Sequence, residues 1–307
     1  MMKRQPGRSM TGAACLAAVL ILAGCAARTT APSGEAAAAR VSEKAAAPVA
    51  GGVVLEYKMP AGRVLRYQDE SEVREVADVM GMTNESRAVT TAQLSFQANG
   101  RKDGNHLLGV TIEDWSTSIA SSQGDMSLDM GPVKGKSFDM VLSPFGSEVD
   151  VSGAEAITYE SVTGQRNVAS AFNIFFSDLP GQPVKIGDTW PSSFVIEEKG
   201  GPMSMRVDAQ GVNTLDGFEI VDGMECARIS AAYTGTISGT GTQQGADLAI
   251  SGTLKGTDIW HFAVKEGIYV GSAGDMINDI TIAVSGAQTM TLPVTQTRKT
   301  AVKLIGR

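Results

Sequence analysis

The chain has 307 residues, of which 26 are Lys or Arg and 33 are Asp or Glu, so its formal net charge is −7. An acidic surface repels nucleic acid and anionic lipid headgroups, which argues against both as partners. The hydrophobic fraction is 43% and there are only three cysteines, which indicates a fold stabilised by an apolar core rather than by disulfides.

The first 24 residues have the pattern of an export signal. Lys3, Arg4 and Arg8 precede an apolar segment that runs from Thr11 to Ala23. This segment is too short to cross a bilayer, which needs about 20 apolar residues. A basic start followed by a short apolar segment predicts a signal peptide over residues 1–24.

The signal ends in Leu22-Ala23-Gly24-Cys25, which resembles the lipobox of bacterial lipoproteins. The resemblance implies that the Cys25 thiol carries a diacylglycerol and that cleavage occurs before this residue, so that acyl chains hold the protein in the bilayer. Ala26, rather than an aspartate, follows the cysteine. By the Gram-negative sorting rule this implies a lipid-anchored protein of the cell envelope at the outer membrane. The alternative is an ordinary cleaved signal with an incidental cysteine.

Loss of the signal removes three basic residues and no acidic one, which leaves 23 basic and 33 acidic residues. Cys15 leaves with the signal and Cys25 is assigned to lipid, so Cys226 has no cysteine partner within the chain. Residues 25–50 are rich in alanine and proline and lack an apolar period. We therefore expect this segment to be a flexible tether.

The remaining residues, 51–307, alternate between apolar and polar residues and are expected to form one β domain. Glycine-containing turn sequences such as NGRKDGN, SPFG, KEG and SAGD separate the alternating runs. Alternation bounded by turns predicts half-buried antiparallel strands. The apolar positions of these runs are Leu94/Phe96/Ala98, Leu108/Val110/Ile112, Phe138/Met140/Leu142, Leu248/Ile250/Leu254, Trp260/Phe262/Val264 and Ile280/Ile282/Val284.

One segment departs from the period of two. Val168, Phe172, Phe175 and Leu179 have helical spacing, and a proline follows them directly. This spacing predicts an amphipathic helix over about residues 165–178, with its aromatic face packed on the sheet.

Short sequence motifs recur on the two sides of this segment. The recurrence predicts a first half over 51–153, a helical crossover over 154–185 and a second half over 186–307. The expected fold is therefore mainly β, a large antiparallel curved sheet or half-barrel built from two similar halves joined by one amphipathic helix. The alternative is that all β meanders share such turns. The matched stretches are AGRVL with IGDTW, DGNHLLGVTIEDW with DGMECARISAAY, VKGKSF with LKGTDIW, and FDMVLSPFG with WHFAVKEG, at offsets of 125, 119, 121 and 122 residues.

The crossover carries the most specific family resemblance. Leu179-Pro180, followed by Val184-x-x-Gly187-Asp188-x-Trp190, resembles bacterial lipoproteins of a family with no assigned activity, which also have a lipobox and a tether. A looser similarity links the chain to periplasmic lipoprotein carriers. It implies a curved antiparallel sheet that holds acyl chains under helices.

No motif of a known catalytic type is present in the sequence. There is no G-x-S-x-G, H-E-x-x-H or C-x-x-C pattern, and His106 and His261 are expected to be ordinary strand residues. The sequence therefore predicts a protein that is not an enzyme, without a metal site or a cofactor. An acidic run near the start of the domain is expected to be a solvated strand face: Asp69, Glu70, Glu72 and Glu75.

Methionine pairs are the remaining candidates for a site. Met80 and Met82, like Met203 and Met205, have i, i+2 spacing, which places each pair on one face of an extended strand. Thioethers suit Cu(I), but they are also adaptable apolar fillers, and no His or Cys accompanies them. We expect all four to line an apolar groove, with Met126 and Met130 nearby. The predicted function is binding of a hydrophobic ligand or lipid. The alternative is a structural or assembly role in contact with other envelope proteins.

Overall fold

The computed structural model describes residues 51–79, 81–198, 203–243, 245–286 and 289–307. The predicted signal peptide, the lipid attachment at Cys25 and the tether lie outside these residues.

The described chain folds around one twelve-stranded antiparallel sheet, and 71% of the residues are in strands. This confirms the prediction of a mainly β protein with one large curved antiparallel sheet. The spatial order is β6-β5-β3-β2-β1-β14-β13-β12-β11-β10-β9, with β4 paired to β3. The strands are β1 Val64–Val79, β2 Met82–Lys102, β3 Asn105–Ser121, β4 Met126–Ser127, β5 Ser137–Leu142, β6 Glu148–Asp150, β9 Thr189–Glu198, β10 Met203–Val221, β11 Met224–Gln243, β12 Ala246–Ala263, β13 Ile268–Ser285 and β14 Met290–Gly306; β7 Thr158–Ser161 and β8 Gly164–Asn167 form a separate hairpin.

Strand formation follows from the alternation in the sequence. Successive side chains of a strand point to opposite faces, so every second residue is buried if one face covers a core. Of the apolar residues that predicted the six alternating runs, all but Val264 are buried on the inner face of the sheet. Val264 follows β12 directly and is partly buried against the same core.

The predicted helix over 165–178 is wrong in extent. The structure has strand β8 up to Asn167 and then a single helical turn, α1, over Ala169–Phe172; a 3₁₀ turn lies earlier, over Ser152–Ala156. The Asn167 side chain accepts a hydrogen bond from the Ala169 N–H at 3.1 Å, which starts the turn. The apolar residues at helical spacing are buried, but Phe, Ile and Asn have low helix propensity, and packing on the sheet replaces the helix with irregular backbone.

SAGD, residues 272–275, was predicted as a turn but lies within strand β13. Strand β11 also runs through a glycine-containing sequence, GTGTQ, to Gln243. A Cβ atom on Gly239 would lie 2.6 Å from the Ser204 carbonyl oxygen of the neighbouring strand. Glycine at this position therefore reflects close strand packing rather than a turn.

The inner face of the sheet has two apolar cores separated by polar residues. The central strand β14 shows the division, with Leu292 and Val294 at one end and Val302 and Leu304 at the other. We call the first region the tip core, because it lies among the hairpin ends near residues 79–82, 243–246 and 285–290. The second is the crossover core. Between them lies a polar belt of buried side chains: Glu75, Asn278, Gln296, Arg298 and Thr300.

The chain between the two halves fills the crossover core. Phe175 and Phe176 pack at ring-centroid distances of 4.8 and 5.1 Å from Phe96. The indole N–H of Trp190 donates to the Asp178 carbonyl oxygen at 3.0 Å. The edge strands β6 and β9 are not paired with each other. The crossover residues 173–178 therefore lie in the seam between the two edges of the sheet.

The matched motifs of the two halves occupy comparable positions. Asp103 and Asp222 both have left-handed backbone, with φ of 51° and 48°, in the two-residue turns that join β2 to β3 and β10 to β11. Phe138 pairs with Val110, and Trp260 pairs with Ile229. Val110 and Ile229 are equally spaced from their turns. An internal duplication stays a prediction, since a β meander produces similar hairpins without one.

Candidate functional site

A narrow apolar slot runs through the tip core. One wall comes from the ends of β1, β2 and β3, and the other from β10 to β14. The slot offers about 50 Å³ to the centres of water-sized molecules. Strands β3 and β10 are not paired with each other, so no backbone hydrogen bonds join the two walls on that side of the slot. The apolar lining consists of Ala77, Val79, Met203, Leu248, Ile250, Ile282, Leu292 and Val294.

The four candidate methionines do not come together as one set. Met203 lines the slot, and Met205 is buried in the tip core. Met82 lies at the β1–β2 turn with 66% of its surface exposed, and Met80 is outside the described residues. Of the two further methionines, Met130 is buried in the crossover core and Met126 is exposed.

The inner end of the slot reaches the polar belt. The Gln296 amide donates to the Glu75 carboxylate at 2.7 Å, and the Asn278 amide donates to Gln296 Oε1 at 3.3 Å. The prediction of a solvated acidic face is therefore wrong for Asp69 and Glu75, which are 2% and 6% exposed. The alternation of β1 explains this, because odd-numbered residues point inward and Glu72 points outward to Arg side chains.

A buried ion pair lies at the edge of the belt. Arg166 of β8 contacts Glu198 of β9, and both side chains are only 10% exposed. Burial raises the pKa of the Glu198 carboxyl above its usual range, and the charges of Arg166 and Arg298 oppose this shift. This pair connects the small β7–β8 hairpin to the edge of the main sheet.

A second cavity lies in the seam between β6 and β9, and we call it the seam cavity. It provides about 400 Å³ for water-sized molecules. The crossover supplies Asp178, the start of β6 supplies Glu148, and β10 and β12 supply Asn213 and Asp258. Four aromatic side chains complete much of the wall: Phe176, Phe194, Tyr233 and Trp260.

The carboxyl groups of the seam cavity have perturbed acidity. Burial raises the pKa of Glu148 to about 8; a hydrogen bond from the Phe176 N–H at 2.8 Å opposes the shift, and the charge of Asp178 adds to it. Burial also raises the pKa of Asp178, although Ser147 donates a hydrogen bond to it at 3.3 Å. These groups therefore lie where ionisation is unfavourable.

The sequence analysis missed the polar residues of this cavity. Asn213 and Asp258 occupy inward positions in strands, two residues before Leu215 and Trp260. In the sequence, these two residues could have been found as polar residues at strand positions that alternate with buried apolar ones. Glu148 and Asp178 lie outside regular alternation, and only the path of the crossover brings them together.

The two histidines and the remaining cysteine are structural. His106 is fully buried, with Nε2 3.0 Å from the Tyr57 carbonyl oxygen, and burial lowers its pKa. His261 pairs with Glu219 on the other face of the sheet. Cys226 is a buried free thiol, and burial raises its pKa to about 12. Burial therefore disfavours the Cys226 thiolate, which is the nucleophilic form of the side chain.

Within the described ranges, no group of three or more His, Cys, Asp or Glu side chains is arranged to hold a metal ion. No helix in these ranges has the length and apolarity needed to cross a membrane.

Comparisons with known proteins add little to this geometry. No protein-family model and no curated protein matches the chain. Among solved structures, OccK2 (OpdF) from Pseudomonas aeruginosa aligns over 80% of this chain and 100% of its own, with 5% identity and a TM-score of 0.25. An outer membrane channel from Pseudomonas putida F1 aligns over 81% and 97%, with 9% identity and a TM-score of 0.23. Scores this low carry no argument about function.

Proposed function

We propose that the protein is a non-enzymatic lipoprotein, anchored in the cell envelope through Cys25, that binds a hydrophobic ligand such as an acyl chain in the slot of the tip core. The observation that supports this proposal most directly is the slot itself. Its lining is mainly aliphatic, and its two walls come from parts of the sheet that are separate along the chain.

The slot is narrow in this conformation, so the ligand requires its walls to separate. Separation of β3 from β10 breaks side-chain contacts but no strand pairing. Insertion of an acyl chain replaces those contacts with new apolar ones, at about 0.8 kcal/mol for each buried CH₂ group. A flexible Met203 side chain at the slot can adapt to the occupant.

The ligand proposal is tested on residues 26–307 purified without detergent and extracted with organic solvent. Mass spectrometry is expected to detect about one lipid per protein. Met203→Trp fills the slot and should abolish the bound lipid, whereas Val212→Trp, at an exposed position, should retain it. Lipid-free protein that co-purifies with other envelope proteins contradicts the ligand proposal and favours the assembly role.

The anchor is tested by Cys25→Ala in the full chain. Without the thiol no diacylglycerol can be attached, so we expect an unprocessed precursor that carries no acyl chain by mass spectrometry. A Cys25→Ala protein that is still processed contradicts the lipoprotein assignment, because an ordinary cleaved signal does not need this thiol.

A further inference from the structure

The seam cavity has a chemical character different from that of the tip slot. Its carboxyl groups come from three separate parts of the fold, namely Glu148, Asp178 and Asp258. Among the described residues that line it, none is Lys, Arg or His. The carboxyl groups of Glu148 and Asp178 therefore lie in a wall whose described residues include no basic side chain.

Asn213 gives a second and independent indication of a ligand. Its side chain is 97% buried and lines the seam cavity. No group of the described residues forms a hydrogen bond with its amide. The amide atoms are not sealed off from the cavity, so an occupant can hydrogen-bond to the amide oxygen.

The aromatic side chains around these groups restrict the class of occupant. Phe176, Phe194 and Trp260 line the cavity, and aromatic rings can attract cations. A compact metal ion would require at least three carboxylate or imidazole ligands converging on one point, which the described residues do not supply. A cation with an apolar part fits both the rings and the carboxylates.

We propose that the seam cavity binds an organic cation, with an ammonium group held by the carboxyl groups of Glu148 and Asp178, its remaining N–H groups directed towards the Asn213 amide oxygen, and its apolar part against the aromatic wall. The site is separate from the tip slot and does not depend on the function proposed for that slot.

The protonation of Glu148 gives this proposal a distinctive signature. With a pKa of about 8, this carboxyl is mostly protonated at neutral pH. An ammonium ion stabilises the carboxylate, so binding releases the Glu148 proton to the buffer while the ligand keeps its own. Affinity is therefore expected to increase as the pH rises from 6 towards 8. The other titratable groups that interact with this carboxyl are Asp178 of the crossover and the buried Tyr57.

The test uses the full-length lipoprotein in detergent, with benzylammonium as the probe and benzyl alcohol as its neutral analogue. Isothermal titration at pH 7 in buffers of different ionisation enthalpy measures affinity and proton release together. We expect benzylammonium to bind at least tenfold more tightly than the alcohol, with release of part of one proton. Equal affinity for both compounds overturns the proposal.

Substitutions of residues in the seam cavity test whether the cation binds there. Glu148→Gln, which keeps the acceptor for the Phe176 N–H, should weaken binding about tenfold and abolish the proton release. Asp139→Asn replaces a carboxyl group with an amide at an exposed position of β5. It should change neither the affinity for the cation nor the proton release. Asn213→Asp adds a carboxylate to the cavity and should tighten binding severalfold. Binding that none of the cavity substitutions alters, in protein with an unchanged circular dichroism spectrum, also overturns the proposal.

Discussion

Charged side chains inside the sheet distinguish this protein from one with a purely apolar interior. Glu198 is the clearest case, since it lies close to the charges of both Arg166 and Arg298. Removal of one charge from a buried pair leaves its partner in a region of low dielectric constant, which costs about 3–5 kcal/mol. An exposed pair contributes at most about 1 kcal/mol, because water screens it.

Adjacent glutamates of β9 provide a matched test of this difference. Glu198→Gln is expected to lower the free energy of unfolding by about 3 kcal/mol. Glu197→Gln should lower it by less than about 1 kcal/mol, because its partner Arg206 is on the exposed face. Urea denaturation followed by circular dichroism measures both. Equal losses would show that the Arg166–Glu198 pair has no special energetic role.

Glu148 predicts how the stability of the protein depends on pH. Its pKa is about 8 in the folded protein against an ordinary value of 4.5, so the folded state holds a proton that the unfolded state loses over this interval. The contribution of Glu148 to the free energy of unfolding is therefore highest below pH 4.5. It falls as the pH rises towards 8, by at most about 1.4 kcal/mol per pH unit.

Denaturation at pH 5 and pH 8 measures this effect. We expect Glu148→Gln to remove part of the decrease in stability between the two values, and Glu155→Gln, at an exposed position, to leave the decrease unchanged. An identical decrease in the wild type and in Glu148→Gln would show that the carboxyl is not protonated in the folded protein at neutral pH.

The strands were largely predictable because their inner face is almost continuously apolar. The alternation predicted six strand segments, and Asp-Gly sequences occupy the two-residue turns between β2 and β3 and between β10 and β11. The crossover was not predictable to the same extent. Its aromatic residues have the spacing of a helix, but they are buried by contacts with distant strands that only the complete fold brings near.

The Asp-Gly turns determine the pairing of the hairpins that they join. Gly104 has a φ of 83°, a left-handed value that a residue with a Cβ atom adopts at a cost of about 1 kcal/mol. We expect Gly104→Ala to lower the melting temperature by a few degrees, as about 1 kcal/mol should in a protein of this size. Gly217→Ala is the control, because that glycine has ordinary φ and open space beside it. Equal effects would contradict this explanation.

The candidate sites could be predicted only in part. Met203 lies in the lining of the slot, whereas the exposure of Met82 depends on where the β1–β2 turn ends. The seam cavity depends on how the crossover passes between β6 and β9. Its polar residues are distributed from Ser147 to Trp260 along the chain, so no local motif marks it.

The two halves depend on each other for stability. Strand β1 of the first half pairs along its length with β14 of the second, and the crossover core draws on both. Residues 51–164 alone would expose one edge of β1 and an apolar sheet face, and such surfaces drive association. We expect this fragment to aggregate when expressed by itself. Size-exclusion chromatography showing a monomer that unfolds cooperatively would instead establish an independent domain.

The position of β14 in the centre of the sheet affects the order in which the fold can be completed. Arg66 of β1 pairs with Gly306, across almost the whole described chain. Contacts between residues so far apart form slowly, because a long loop must close first. The ribosome therefore synthesises all the other described strands before β14, the strand that joins the two halves. The earlier strands would remain without their last partner until this segment emerges, and they would require protection from premature association for that entire interval.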